Sequence, residues 1–486
     1  MKKQLGKKRI KKDMGFLWCQ HLARLRLFQL AFGGVLTFFI YIGFLLSHQE
    51  RTFGHQLRED HVTGRRLRQV PSNQTQECSV KWPVKSQLLH SRWHVHRAQQ
   101  PPNPVISVFS AFLDQRSWTV PSSSIRIFGV ATVNESKTVY CQIWEDASKQ
   151  PLITKAILRN VGRGYSKDKV KYMEYLFTCL TPSAMNPKFV SLTFDFCENS
   201  TIRLPVIEPE KHVEPPVKFG ICVAVTYGHI SPKRLIEWIE LNKLLGVGEI
   251  NIYNSSISRT TMDVLNSYIQ DGVVVIRSAP PPIPDWDYWP KKLAVIAALN
   301  DCLYRNMFRY DYLIVTDLDE FIIPKPFLTY QELFSNINTM HGVAINPVSY
   351  IFRNEYFFLD LGPVNNHTQF LITQSYTKRM PISRRGYAVK SASDPSRCVV
   401  LSNHNCISAT TDAGKRWTLE VNETVATNQH YKKCHFSSQK CNEMLLMFVT
   451  DNTILKYGNN LLQNFKKKSD DLLYDLDMDI HLSDPS

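Results

Sequence analysis

No Gly-x-Gly-x-x-Gly follows the first buried strand of the C-terminal half, and no Gly-x-x-x-x-Gly-Lys-Ser/Thr occurs in the 486 residues. The first absence argues against a dinucleotide fold of the oxidoreductase type; the second removes the common nucleotide triphosphatases. A phosphate-bearing ligand would then be held mainly by a metal ion and by scattered donors. Net charge is also missing from the folded part. The formal charge of +15 suggests nucleic acid. However, residues 1–26 carry nine Lys/Arg against one Asp and residues 47–100 nine against four, leaving 40 basic and 38 acidic residues over 101–486. A nearly neutral body lacks the electrostatic footprint of a polyanion binder. Residues 27–46 have no charged side chain in twenty positions, about enough to cross a ~30 Å hydrocarbon core. The end of this run lacks the small residues of a cleaved signal peptide. With the basic cluster ahead of it, the positive-inside rule leaves 1–26 in the cytosol as a basic tail and the rest in the lumen. The expectation is a single-pass type II signal anchor.

What is present agrees with an oxidising lumen. Ten of the eleven cysteines follow residue 46, an even number that permits full pairing without fixing its connectivity. Six Asn-x-Ser/Thr acceptors follow it too, at Asn73, Asn134, Asn199, Asn254, Asn366 and Asn422. Asn254 closes an expected strand and is set aside, leaving the other five as expected glycosylation sites.

Residues 47–103 are rich in Arg, Gln, His and Pro with little periodicity, and read as a solvated stem. Over 104–204, runs at 106–113, 124–130, 138–144 and 188–194 alternate with polar residues between turn clusters, an antiparallel β pattern. Residues 205–217 form a Pro/Glu linker. From 218 to 465 the rhythm is strand–helix–strand: strands at 219–225, 249–253, 273–276 and 312–315, with helices expected at 232–245, 260–270 and 291–305. Such alternation argues an α/β fold with a mostly parallel sheet flanked by helices. Residues 466–486 read as a disordered tail.

The fourth strand ends in Asp317-Leu318-Asp319-Glu320, three acids within four residues. Carboxylates at the C-terminal edge of a parallel sheet lie where such sheets bind ligands. Asp317 and Asp319 could both turn toward one hard cation that bridges phosphates. Asp-x-Asp is a cheap pattern, and it recurs at Asp285/Asp287, Asp475/Asp477 and Asp477/Asp479. Only Asp317/Asp319 follows a buried strand.

Glu237-Trp238-Ile239-Glu240, Leu245-Gly246-Val247 with Ile252-Tyr253-Asn254, Asn300-Asp301-Cys302-Leu303-Tyr304-Arg305 and Asp317-Leu318-Asp319-Glu320-Phe321 occur in this order. Together they resemble glycosyltransferase family 92, over roughly residues 104–465. The resemblance implies a GT-A-like fold, an inverting mechanism, a divalent ion (usually manganese, Mn2+) and a UDP-sugar donor. It further implies transfer of β-1,4-galactose from UDP-galactose onto galactose or fucose residues of glycoprotein N-glycans. By position, Asp317 and Asp319 would hold metal and diphosphate, and Thr226 and Tyr227 would lie near the uridine. The family tends to have Gln where this chain has Lys291 and Lys292. Golgi membrane localisation goes with the type II topology, and the reading allows a homodimer.

Residues 397–406 and 428–431 also resemble family segments. His404, or alternatively His430, is the expected third metal ligand, because imidazole suits manganese beside carboxylates. A zinc site built on Cys398, His404, Cys406, Cys434, His435 and Cys441 has suitable ligand types but no Cys-x₂₋₄-Cys pair, and in a lumen disulfides are favoured. The inverting transfer needs a general base beside the acceptor. Asp360, Glu355 and Asp394 are candidates, with Asp360 carried forward. Arg379, Arg384, Arg385 and Lys390 make a basic stretch that reads better as a solvated loop than as a diphosphate contact. Trp286, Tyr288 and Trp289 could stack on a sugar or fill the core. The leading function is thus a metal-dependent galactosyltransferase. The rivals are a lumenal lectin on the same fold, without turnover, and a cell-surface adhesion protein.

Overall fold

The structure, a computed structural model, describes residues 79–83, 93–98 and most of 103–476; within the last span 120–122, 134–136, 163, 168, 211–216, 281, 283–290, 342–346, 365–369 and 415–416 are excepted. The expected anchor, most of the stem, Asn73, Asn134, Asn366 and the aromatics at 286–289 lie outside the described residues. Among the described residues no helix is long and apolar enough to cross a membrane.

The first body is all β. Its strands are His94–Arg97 (β1), Val105–Asp114 (β2), Ser124–Ala131 (β3), Tyr140–Trp144 (β4), Leu152–Lys155 (β5), Ile157–Asn160 (β6), Tyr165–Lys167 (β7), Val170–Leu180 (β8), Phe189–Thr193 (β9) and Leu204–Ile207 (β10). They hydrogen-bond in the order β5-β4-β9-β10-β2-β3-β8-β6, with β1 added to β2 and β7 to β8. The two ends of this order, β5 and β6, are successive pieces of one segment separated only by Ala156. The sheet therefore curls almost into a barrel, which removes most of the exposed edge. The Cys141–Cys179 disulfide ties β4 to β8. Two boundaries differ from expectation. β1 draws the end of the stem into the sheet, and β10 takes up the first residues of the expected linker. In both places backbone pairing overrides a locally polar or Pro-rich composition.

The second body begins with Val217–Gly228 (β11) and continues through Glu249–Ile257 (β12), Val274–Ser278 (β13), Tyr310–Val315 (β14), Glu320–Pro324 (β15), Ser349–Phe352 (β16), Asn354–Phe358 (β17), Lys378–Arg379 (β18), Lys390–Ser393 (β19), Cys398–Leu401 (β20), Cys406–Ala409 (β21), Thr418–Glu420 (β22), Ala426–Lys432 (β23) and Val449–Thr450 (β24). The main sheet runs β13-β12-β11-β14-β19-β16-β22, its first four strands mutually parallel and β19 reversed. A smaller sheet, β15-β23-β17, stands beside the end of β14. Helices Pro232–Leu244 (α1), Arg259–Gln270 (α2) and Val295–Arg305 (α3) make the crossovers. Pro at the start of α1 and Gly246 past its end (φ +99°) punctuate it as expected. The Ser258 hydroxyl caps α2 by accepting from Thr261 N. Gly220 on β11 lets the ring of Tyr310 lie against the backbone, where a Cβ would meet the ring at 2.3 Å.

Further along come Tyr330–His341 (α4), Ile372–Ser375 (α5), Ser438–Leu445 (α6) and Gly458–Leu476 (α7). The last corrects the expected disordered tail over residues 466–476, the rest of that tail lying outside the described residues. Its helix runs past residue 466 to Leu476, buries Leu472, and joins Lys468 to Asp271 on the Asp carboxylate at 2.7 Å. Cys398–Cys406 and Cys434–Cys441 are disulfides, as is Cys222–Cys302. The cysteines of the zinc alternative are thus all oxidised and offer no thiolate. Cys197 is disulfide-bonded as well.

Candidate active site

β11 and β14 are adjacent, with Cys222 opposite Val315. The chain leaves β11 for β12 and β13 on one side and returns to β14 on the other. The C-terminal ends of β11 and β14 therefore border a switch point, the crevice where open α/β sheets hold ligands. β11 brings Thr226 and Tyr227 to it; β14 brings Thr316 through Asp319. Thr226 is buried, with its hydroxyl donating to Ala224 O at 3.1 Å, while Tyr227 is half exposed.

The Thr316–Glu320 turn is held on every side. Glu320 N donates to Asp317 O at 3.2 Å, and the Thr316 hydroxyl donates to Glu320 O at 3.1 Å. From α1 the Trp238 indole donates to the same carbonyl at 3.0 Å. From β23 Tyr431 N donates to Asp319 O at 2.8 Å. The antiparallel register of β15 and β23 sets Glu320 directly opposite His430.

Beneath the turn five charges alternate in sign. Lys390 Nζ donates to Asp317 Oδ2 at 2.8 Å and contacts Glu320 Oε2 at 3.0 Å. His430 Nε2 lies 3.1 Å from Asp319 Oδ2, and its Nδ1 lies 2.7 Å from Glu320 Oε1, close in charge but out of line for a hydrogen bond. Lys390, Glu320 and His430 are buried, whereas the Asp317 and Asp319 side chains are 44% and 43% exposed. Each aspartate thus commits one oxygen inward, and its Oδ1 makes no hydrogen bond among the described residues.

Burial alone would neutralise these groups, and the pairing opposes it. Burial pushes Glu320 up, but the charges of Lys390 and His430 outweigh it and hold the carboxyl well below the ordinary range. Lys390 is raised because Glu320 and Asp317 outweigh its desolvation. His430 rises to about 9, desolvation being outweighed by Glu320 and Asp319, so it is an imidazolium at neutral pH. Asp317 is shifted upward by enclosure and by the like charges of Glu320 and Asp319. The Lys390 ammonium at 2.8 Å opposes that shift.

A pH dependence follows. A folded-state value raised above the ordinary 6.5 gives His430 a stabilising contribution that is complete below about pH 6.5 and lost as pH rises through about 9. The Tm should fall between pH 7 and 10 in thermal unfolding, and His430→Gln should flatten that fall. An unchanged slope in the variant would refute the assignment.

The other expected residues fall in different places. His404 sits in the turn between β20 and β21, where its Nδ1 donates to Val389 O at 2.8 Å, leaving Nε2 with the lone pair. Its neighbour Asn403 reaches Lys390 Nζ at 3.3 Å, so this turn adjoins the charge cluster. Both nitrogens of His430 face carboxylates. Asp360 is exposed beyond the end of β17, with Oδ2 accepting from Cys434 N at 2.7 Å. Since β17 runs parallel to β23 with Tyr356 opposite His430, that end lies on the same rim as Asp319. Glu355 is buried and paired with Lys325 at 3.1 Å, out of reach of an acceptor. Asp394 accepts from Ser396 N and Oγ and stands beside Arg397. Asn199 and Asn422 are exposed, their side chains accepting from Lys81 N and Thr424 N.

The basic stretch divides. Arg379 pairs with Asp451 at 2.8 Å and exposed Arg385 with Glu420 at 3.0 Å, whereas Lys390 is the buried ammonium of the site. Sequence reasoning named Lys390 only within a basic stretch read as a solvated loop, and missed its place as the buried counter-charge. The available signal was that three acids at one strand end need buried counter-charge, but nothing local says which cation supplies it.

The Asn300-Asp301-Cys302 motif on α3 is positioning throughout. Asn300 accepts from Leu401 N and donates to Leu401 O, both at 2.8 Å, clamping the hairpin that carries Asn403 and His404. Asp301 accepts from the Tyr253 hydroxyl at 2.6 Å and from Arg305 at 2.7 Å. Cys302 is bonded to Cys222 on β11. The sequence profile of glycosyltransferase family 92 matches residues 217–470, a stretch that begins with β11 and closes in α7.

The chain belongs to glycosyltransferase family 92. A curated relative, the beta-1,4-galactosyltransferase galt-1 of Caenorhabditis elegans, is 25% identical over 228 residues, 44% of this chain and 51% of the relative. The match thus spans about half the relative's length. A family 92 enzyme uses a sugar-nucleotide donor, and the residues at the switch point can be tested against a divalent ion. Among the described residues no three His, Cys, Asp or Glu side chains form a closed metal cage. Hard cations that serve phosphates need only one or two carboxylates, the rest of the shell being phosphate and water. Two half-exposed carboxylates on one turn, each with an Oδ1 that makes no hydrogen bond among the described residues, fit that requirement. The backbone-anchored Nδ1 of His404 is also the arrangement that leaves Nε2 as a ligand atom.

Proposed function

We propose that this family 92 glycosyltransferase is a type II Golgi membrane enzyme that transfers galactose from UDP-galactose, with inversion, to a terminal galactose or fucose of glycoprotein glycans, forming a β-1,4 linkage. The observation that carries the reading is the pair of half-exposed aspartates at the switch point, each tied down by one oxygen and presenting the other. Asp317 and Asp319 would hold Mn2+ and, through it, the donor diphosphate, with His404 as the first choice for a third ligand. The ion's contribution is to neutralise the charge that develops on the leaving diphosphate. Thr226 and Tyr227, on the adjoining strand end, would flank the uridine. Asp360 is our choice for the base, because it is exposed on the rim beside Asp319 and only one of its oxygens is committed to Cys434 N. The galactose assignment leans on the name of the nematode relative, and the lumenal setting on the disulfide-bonded body.

The test is UDP release by the detergent-solubilised full chain, given UDP-galactose, Mn2+ and a panel of galactose- or fucose-terminated N-glycans. Acceptor-dependent release with a new β-linked galactose on the product is expected. Donor binding without release on any acceptor would instead favour the lectin reading, and absence of UDP-sugar binding with Mn2+ would refute the site.

A further inference from the structure

We propose that Glu320 is a positioning residue that sets both donor-binding aspartates at once, acting through the two cations it shares with them. The inference rests on the diphosphate reading of Asp317 and Asp319. One oxygen of Glu320 serves each half of the site. Oε2 contacts Lys390 Nζ at 3.0 Å and accepts from Asp317 N at 3.3 Å, and Lys390 in turn holds Asp317 Oδ2 at 2.8 Å. Oε1 lies 2.7 Å from His430 Nδ1, and His430 Nε2 faces Asp319 Oδ2 at 3.1 Å. Glu320 itself cannot drift. Its backbone carbonyl takes the Trp238 indole, its residue is paired with His430 across the small sheet, and it is 2% exposed.

The chemistry of the position explains why a carboxylate stands there. Lys390 and His430 are both cations, so the group between them must accept on two sides and carry charge. A glutamine keeps the size but turns an NH₂ toward one cation, so at least one half of the relay is lost whichever way the amide faces. Lys390 would then keep Asp317 and Asn403 as partners but lose the buried anion that fixes its ammonium on a long flexible stem, or His430 would lose the anion that orients its ring. Glu320 is 2% exposed, and it acts through Lys390, His430 and the backbone N of Asp317. Outer-shell partners of this kind typically cost about 10–100-fold in metal affinity when removed.

The measurement is calorimetric titration of Mn2+ into the full chain in saturating UDP, for wild type, Glu320→Gln and His430→Gln, each first checked for cooperative thermal unfolding. Mn2+ affinity is expected to fall about 10–100-fold in Glu320→Gln, and by a smaller factor in His430→Gln, which disturbs only the Asp319 half. A purely structural role would lower the Tm of Glu320→Gln and leave the affinity of the folded protein unchanged, and that result would overturn the proposal while leaving the diphosphate reading intact. Should Glu320→Gln fail to fold, wild-type affinity in His430→Gln would overturn it equally. Wild type that binds no Mn2+ in the presence of UDP would remove the diphosphate reading, and this proposal with it.

Discussion

Asp319→Ala is expected to reduce transfer from UDP-galactose by about 10²–10⁴-fold while shifting the Tm by no more than a few degrees. The two halves of that expectation have separate causes. Asp319 is nearly half exposed, and its removal leaves His430 beside Glu320 at 2.7 Å, so no buried charge is orphaned. The turn keeps its shape because Asp319 is fixed through its backbone carbonyl, to Tyr431 N at 2.8 Å, rather than through its side chain. The loss of activity follows from the task proposed for the carboxylate. Charge stabilisation at a leaving diphosphate is worth several kcal/mol, and each ~1.4 kcal/mol is tenfold in rate. Turnover should be compared at saturating donor, beside a melting curve. A variant that folds and transfers at the wild-type rate would show that Asp319 has no part in the reaction. A variant that fails to fold would show that its side chain belongs to the buried scaffold.

The sequence displays the alternation of elements, because buried parallel strands and amphipathic helices each leave a local period. The strands at 219–225, 249–253 and 312–315 and the acids at the end of the last were visible for that reason. Contacts made by register rather than period were not. The pairing of Glu320 with His430 joins residues 110 positions apart, and it exists only because β23 returns antiparallel to β15. Lys390 sat in a run of basic residues of which Arg379 and Arg385 pair with other acids and Arg384 lies over the Tyr387 ring, and composition could not separate it from them. The helix to Leu476 was hidden for a related reason. Its lysines and aspartates read as a solvated tail, but Lys468 finds Asp271 and Leu472 finds the core, both supplied by distant parts of the chain. Asn300-Asp301-Cys302 was legible as a motif, but its work is to clamp the Leu401 hairpin and the middle of β11, which only the fold reveals.

Lys390→Met should be the most damaging single change to stability near the site, at about 3–5 kcal/mol. Lys390 is 1% exposed and its ammonium lies between Asp317 and Glu320, so the substitution leaves a buried Glu320 and a like-charged Asp317 with His430 as the remaining cation. Removing one member of a buried ion pair costs that much because the partner stays desolvated, whereas removing both members together is often close to neutral. The double variant Lys390→Met/Glu320→Gln should therefore recover part of the loss, and the two changes should not add. At roughly 1 °C per kcal/mol for a chain of this size, the single variant should melt about 3–5 °C below wild type. Denaturant or thermal unfolding of the four proteins completes the cycle. Additive losses would mean that Lys390 and Glu320 do not interact in the folded protein. A stable Lys390→Met would mean that the carboxylates beneath the turn share a proton and need no ammonium. Recovery in the double variant, with Mn2+ affinity still impaired, would separate what the charges do for the fold from what they do for the donor site.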